Sequence, residues 1–187
     1  MKMFLLSLAV MLCLAAFVSA QDVKPIDIYI GGGLSLPNSP DFFKDYWKTG
    51  YHGLAGVGFK AFPGFSLVGM AEYHSFPIDA EGVDGGSFNF FLFTVNGRLA
   101  LDIPAAPIKP YFLGGIGLAN SKISDITEGD ETFKFIGSET DLCFNVGAGL
   151  EFKAGPAAAI FIQGRYVYIN TEGDALTYIP ITLGVKF

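Results

Sequence analysis

Hydrophobic residues recur at every second position through most of this chain, and that period constrains its fold more than any other feature. Side chains at i and i+2 share one face of a β-strand, whereas a helix needs a period near 3.6. The alternation is strongest in "IDIYIGGGLSL" (26–36), "FFLFTVNGRLAL" (90–101), "LCFNVGAGLEF" (142–152), "AIFIQGRYVYI" (159–169) and the closing "TYIPITLGVKF" (177–187). It is weaker in "GLAGVGFKAF" (53–62), "FSLVGMAEYHSF" (65–76) and "PYFLGGIGLA" (110–119). These make about eight strands, each close to the ~9–11 residues with which a tilted strand crosses a bilayer. No segment carries a helical period, and nothing marks off a second domain.

Sorting the strands by parity separates their chemistry. One face collects Ile28, Ile30, Leu34, Val57, Phe59, Leu67, Tyr73, Phe93, Val95, Phe112, Ile116, Phe144, Val146, Ile162 and the terminal series, and it carries no charge. The other collects Asp27, Lys60, Glu72, Thr94, Asn96, Arg98, Asn145, Glu151, Lys153, Gln163, Arg165 and Lys186, interleaved with glycine at 31, 33, 56, 58, 115, 117, 147 and 149. A lipocalin-like soluble barrel also alternates, so parity alone leaves open which face is inside. A face turned to water would be densely charged, with roughly a quarter to a third of its positions Lys, Arg, Glu or Asp. Glycine and small polar residues with scattered charges suit a narrow lumen instead. Aromatic placement points the same way. Phe59, Phe65, Phe112, Phe152 and Phe187 fall near the short-turn ends, and Tyr51, Tyr73, Tyr166 and Tyr168 near the long-loop ends, as two interfacial girdles require.

Composition bounds the remaining classes. The chain has 187 residues, 51% of them hydrophobic, and a net charge of −6. "MKMFLLSLAVMLCLAAFVSA" reads as a secretory leader: one lysine, an apolar run from Phe4 to Val18, and the small-residue ending Val18, Ser19, Ala20. Cleavage is expected after Ala20, with residues 21–187 forming one barrel domain. A membrane anchor is the competing reading, but the run is shorter than the ~20 residues a spanning helix needs. Losing the leader removes Lys2 and no acid, which makes the net charge more negative and argues against a nucleic-acid partner. Cys143 is then the one remaining cysteine, so no internal disulfide is expected.

The connections alternate in length. Pro63-Gly64, 102–109 and 154–157 are short or moderate; 37–50, 77–87, 121–138 and 170–175 alternate with them and are mostly longer. Bacterial outer-membrane barrels have this asymmetry, with short periplasmic turns and longer outer loops. At "PYFLGGIGLA", "NVGAGLEFKAG", "IQGRYVYI" and "ITLGVKF" the chain resembles the small Gram-negative outer-membrane β-barrel family. That family includes outer membrane protein X, opacity proteins and the membrane domain of outer membrane protein A. The resemblance implies a monomeric, antiparallel up-and-down transmembrane barrel in the outer membrane. Its surroundings would be lipid and lipopolysaccharide. It also implies a last strand, with Leu183, Val185 and Phe187, that the barrel assembly machinery reads by strand addition. The alternative for Phe187 is simple interfacial anchoring.

Five lumen charges form the leading candidate site: Lys60, Arg98 and Glu151 low in the barrel, Glu72 and Arg165 nearer the middle. The resemblance implies that they pair and fill the lumen, because ions in a confined interior are tolerated when paired. A narrow conducting channel is the alternative. Catalysis is not expected. His74 and Ser75 are adjacent and point to opposite faces, and Cys143 has no histidine near it in sequence. Asp125, Glu128, Asp130 and Glu131 in "SDITEGDETF" offer oxygen ligands, but their spacing misses the calcium loop, and no cofactor is expected. Together with Asp79, Glu81, Asp84, Glu172 and Asp174 they make an acidic outer rim, which divalent ions could bridge to lipopolysaccharide. The glycine pairs at 115/117 and 147/149 lack the third glycine and the helix of a nucleotide site. "PDFFKDYW" (40–47) reads either as an adhesive tip or as part of an interfacial belt. The roles expected of such a barrel are envelope integrity, surface interaction or adhesion through the outer loops.

Overall fold

A computed structural model describes residues 26–78, 83–104, 106–124, 126–128, 131–133, 137–155 and 157–187. The leader expected over 1–20, and Asp79, Glu81, Asp125 and Asp130 of the acidic rim, lie outside them. Eight long strands form the wall: β1 (Ile26–Ser39), β2 (Gly50–Phe62), β3 (Phe65–Pro77), β5 (Ser87–Ala100), β6 (Ile108–Ile123), β9 (Glu139–Lys153), β10 (Ala159–Asn170) and β11 (Leu176–Lys186). They close in the antiparallel order β1-β11-β10-β9-β6-β5-β3-β2. Three short strands, β4 (Val83–Gly85), β7 (Ile126–Glu128) and β8 (Glu131–Phe133), pair as a separate sheet on the long-loop side. A six-residue helix, α1 (Asp41–Tyr46), lies in the loop between β1 and β2. Most strands run several residues beyond the alternating segments, mainly at their long-loop ends; β6, with 16 residues, is the longest.

The two faces separate by medium. Ile30, Val57, Val95, Ile116, Val146 and Leu183, drawn from six strands, stand exposed on the outside; Val146, for example, is 62% exposed. Asp27, Glu72, Thr94, Asn96, Arg98, Asn145, Glu151, Gln163 and Arg165 are buried inside. An apolar belt around the whole circumference with polar groups enclosed is the inverse of a water-soluble barrel and matches hydrocarbon outside.

Closure rests on β1 and β11. Their ladder runs from Tyr29 opposite Lys186 to Ser39 opposite Thr177, with one irregularity between Pro37 and Ser39. Beyond it, Ile28 N–H donates to the Phe187 carbonyl at 3.1 Å and Phe187 N–H to the Ile28 carbonyl at 3.0 Å. The last residue is therefore tied at both backbone groups, while its ring points outward, 56% exposed. Leu183, Val185 and Phe187 face out, and Thr182, Gly184 and Lys186 alternate with them.

Turn length and side-chain pattern conflict in the first hairpin. A regular two-residue Pro63-Gly64 turn would place His52 opposite Ser75 and rotate β2 by one face. A bulge between Lys60 and Phe62 adds the missing residue, so that His52 faces His74 and the apolar set of β2 stays outside. Gly64 takes the positive φ of 81° that this turn needs.

Glycine on the inner face leaves room for large lumen side chains. A Cβ on Gly58 would lie 2.8 Å from the Tyr29 ring, and one on Gly147 would meet the Arg165 stem. An eight-strand interior is just wide enough for side chains to fill, so small residues must stand beneath large ones. Gly58→Val is expected to destabilise the barrel by about 1–3 kcal/mol through overpacking against Tyr29, read as a lower urea midpoint of the protein refolded in detergent.

Candidate functional site

The inner face builds three layers of different chemistry. Nearest the short turns, Arg98 donates to Glu151, and Lys186 reaches the other oxygen of the same carboxylate. The Arg98 guanidinium also lies 3.9 Å over the Tyr111 ring, whose hydroxyl donates to Gln163 at 3.1 Å. Tyr29 and Phe161 meet edge to face beside them. Lys60, half-exposed at the rim, pairs with Asp27 at 3.2 Å.

In the middle layer Arg165 grips Glu72 with both terminal nitrogens, one of them at 2.8 Å and the other in a shorter contact. Glu72 is 1% exposed, so this is a dry, bidentate ion pair. His74 Nε2 lies 3.4 Å from the same carboxylate. Its Nδ1 is 2.9 Å from Ser35 Oγ, and Ser35 Oγ is 3.0 Å from His52 Nδ1. His52 Nε2 in turn is 2.9 Å from Thr182 Oγ1. The two imidazoles stack with centroids 4.9 Å apart.

Above them the lumen turns apolar. Tyr178 packs edge-on against His74 and Phe76 and stacks with Phe90. Leu92, Ala119, Cys143, Val167, Ile169 and Leu176 complete the cup. Its centre is filled from outside: Phe43 of α1 is fully buried, edge-on to Phe76 at 5.0 Å and to Phe88 at 5.9 Å. Trp47 leans on Phe88. The "PDFFKDYW" segment is therefore divided: Phe43 turns into the barrel mouth while Phe42 and Tyr46 remain exposed.

All five charges expected inside are placed on the lumen side, and they fall into separate pairs: Arg98 with Glu151, Glu72 with Arg165, and Lys60 with Asp27 at the rim. Lys186 joins the first pair. Sequence reasoning passed over the histidine row and the aromatic cup. His52, His74 and Glu72 share lumen parity on one hairpin, which was a usable signal; Ser35 reaches them from the neighbouring strand β1, and Thr182 only through barrel closure. Cys143 lies in the apolar cup. Ser35, His74 and Glu72 have the residue types of a hydrolytic triad, but the Ser35 hydroxyl is shared by two imidazoles and fully buried, and Arg165 holds the carboxylate.

Removing one member of the middle pair strands a buried charge. Arg165→Met is expected to cost about 3–5 kcal/mol, while Arg165→Met combined with Glu72→Leu recovers most of that loss; urea unfolding of the single and double variants measures the difference.

The family model described as outer membrane protein beta-barrel domain matches residues 4–187. A comparison with curated proteins finds no match. Among solved structures, Neisserial surface protein A is similar with a TM-score of 0.65 at 13% identity, over 87% of this chain and 96% of that one. A major outer membrane protein from Thermus thermophilus gives 0.54 at 9% identity, over 87% and 98%. The attachment invasion locus protein Ail of Yersinia pestis gives 0.53 at 17% identity, over 88% and 100%. At these identities the structures share the fold. With the closed eight-strand wall and its apolar outer belt, the family match makes this chain a member of the outer membrane protein beta-barrel domain family, resident in the outer membrane of a Gram-negative bacterium.

Proposed function

We propose that this barrel is a non-conducting, non-enzymatic envelope protein that works through its long outer loops, in a structural and surface-binding role. What supports this reading is the set of side chains that meet inside the lumen, ion pairs below and the Phe43-centred cup above. Water and ions face a dry apolar constriction in series with a charge lock. The exposed rings of Phe42 and Tyr46, on a helix pinned by Phe43, offer a firmly held contact surface to a partner outside. In this reading the protein reaches the membrane by cleavage of residues 1–20, stands as a monomer among lipid and lipopolysaccharide, and meets the latter through divalent ions at its acidic rim. The assembly machinery would recognise Leu183, Val185 and Phe187 on the last strand.

In planar bilayers the wild-type protein is expected to show conductance near zero, together with a mobility shift between unheated and boiled samples in dodecyl sulfate. Steady single-channel openings would instead favour the narrow-channel reading. Neutralising Arg98 or Glu72 alone should leave conductance low, because the Phe43 cup stays in place. Phe187→Ala keeps both backbone bonds to Ile28. Fewer folded molecules in the outer membrane of cells, with unchanged refolding in detergent, would assign the ring to assembly; an equal loss in both would assign it to stability alone.

A further inference from the structure

On four adjacent strands the outer face changes chemistry along one line. Towards the long-loop end, β5 passes from Phe93 and Phe91 to Asn89 and Ser87, β6 from Leu118 to Asn120, Lys122 and Ser124, and β9 from Leu142 to Thr140, while β3 ends its outward apolar run on Tyr73. The register sets these side by side: Tyr73 lies opposite Phe91, Phe91 opposite Asn120, Asn120 opposite Thr140, and Asn89 opposite Lys122. Such a line is where hydrocarbon gives way to the headgroup layer. Part of its hydrogen-bonding capacity is already used. Tyr73 donates to Asn89 Oδ1 at 3.0 Å, and the Asn89 amide donates to Ser124 Oγ at 2.8 Å and to Ser87 Oγ at 2.9 Å. The Asn120 amide donates to Thr140 Oγ1 at 2.9 Å. What remains is the proton of each of the Ser124 and Thr140 hydroxyls, the Asn120 oxygen, and the Lys122 ammonium. Lys44, Lys60, Lys109 and Lys186 each pair with a carboxylate, but among the described residues Lys122 has no such partner. Glu139 lies opposite Ser121 and so has the other parity.

Tyr73, Asn89, Phe91, Asn120, Lys122 and Ser124 line one open cleft of about 610 Å³ on the outer wall. We propose that this cleft binds the phosphorylated sugar end of the outer leaflet's glycolipid, the lipid A of lipopolysaccharide, with Lys122 on a phosphate. Charge complementarity is the first reason: an unpaired ammonium at the headgroup layer meets an anion there. The second is the mixture of the remaining groups. A phosphate accepts only, whereas sugar hydroxyls both donate and accept, so the Asn120 oxygen is matched by a sugar and not by a phospholipid phosphate. The third is what lies beneath. Phe91, Phe93, Leu118, Leu142 and Phe144 stand exposed on the same wall, as an apolar track for acyl chains that hang from the bound sugar. Asn89, tied by Tyr73, Ser87 and Ser124, is ordered before any ligand arrives, which lowers the cost of binding. The proposal rests on the reading of this barrel as an envelope protein among lipopolysaccharide, and it adds a direct contact that needs no bridging metal ion.

Native mass spectrometry of the folded barrel, released from micelles that contain EDTA and graded amounts of either diphosphoryl lipid A or phosphatidylglycerol, counts bound lipid directly. Lipid A should form a one-to-one adduct at a concentration about tenfold below that needed by phosphatidylglycerol, and Lys122→Gln should weaken it about tenfold, the effect of one charge-assisted hydrogen bond. Lys122→Arg should keep the adduct. Lys153→Gln, which removes a cation at the short-turn end, should leave it unchanged. Equal affinity for the two lipids, an equal loss in Lys122→Gln and Lys153→Gln, or an adduct that forms only when magnesium replaces EDTA would overturn the proposal. So would the absence of any lipid A adduct, which would leave the cleft to a protein partner. The mobility shift in dodecyl sulfate shows that each variant is folded. A barrel that keeps this shift and its low conductance yet takes up no lipid A fails here alone, with the envelope reading intact.

Discussion

Hydrocarbon offers no partner for a backbone N–H or C=O, and an unpaired group there costs several kcal/mol. The seam between β1 and β11 meets that constraint, and the rest of the molecule follows from it. Because Phe187 and Ile28 exchange both backbone bonds, the ladder is complete to the last residue. Closing with eight strands also fixes the interior width. Side chains from opposite walls then meet across the axis, and glycines such as Gly58 and Gly147 make room for the large inner side chain of the neighbouring strand.

An interior of that width forces a choice on every polar residue it encloses. Arg98, Lys186 and Glu151 share charge among three groups, and Arg165 and Glu72 do so as a bidentate pair. Each would be costly alone in a dry space. The histidine row adds hydrogen bonds where a further ion pair would have required another cation. Further out the wall changes from paired charge to aromatic packing, so the two ends of the lumen are lined by different chemistry.

Much of the wall was legible because its chemistry is local. Period-2 alternation assigns Ile30, Val95 and Val146 to one face and Arg98, Asn145 and Arg165 to the other without knowledge of any partner, and the alternating connection lengths give topology. What crosses the lumen was not legible, because it depends on the stagger of the closed sheet. Glu72 and Arg165 are 93 residues apart and Arg98 and Glu151 are 53 apart, so the sequence names the charges but not the pairs. Phe76, Phe90 and Tyr178 sit at inner parity, where a polar residue was expected, and only the apolar ring arriving from Phe43 explains them. The six residues of α1 are too few for a helical period to register.

Burial of Phe43 divides the first outer loop into one fixed point and a variable remainder. Phe42, Asp45 and Tyr46 touch solvent and can be exchanged without disturbing the barrel, whereas any change at Phe43 reaches the apolar cup in the mouth. A surface segment built this way can present new faces to whatever lies outside the cell while the wall beneath it stays as it is. Variation of the exposed residues and integrity of the membrane-embedded body are thereby uncoupled at a single side chain.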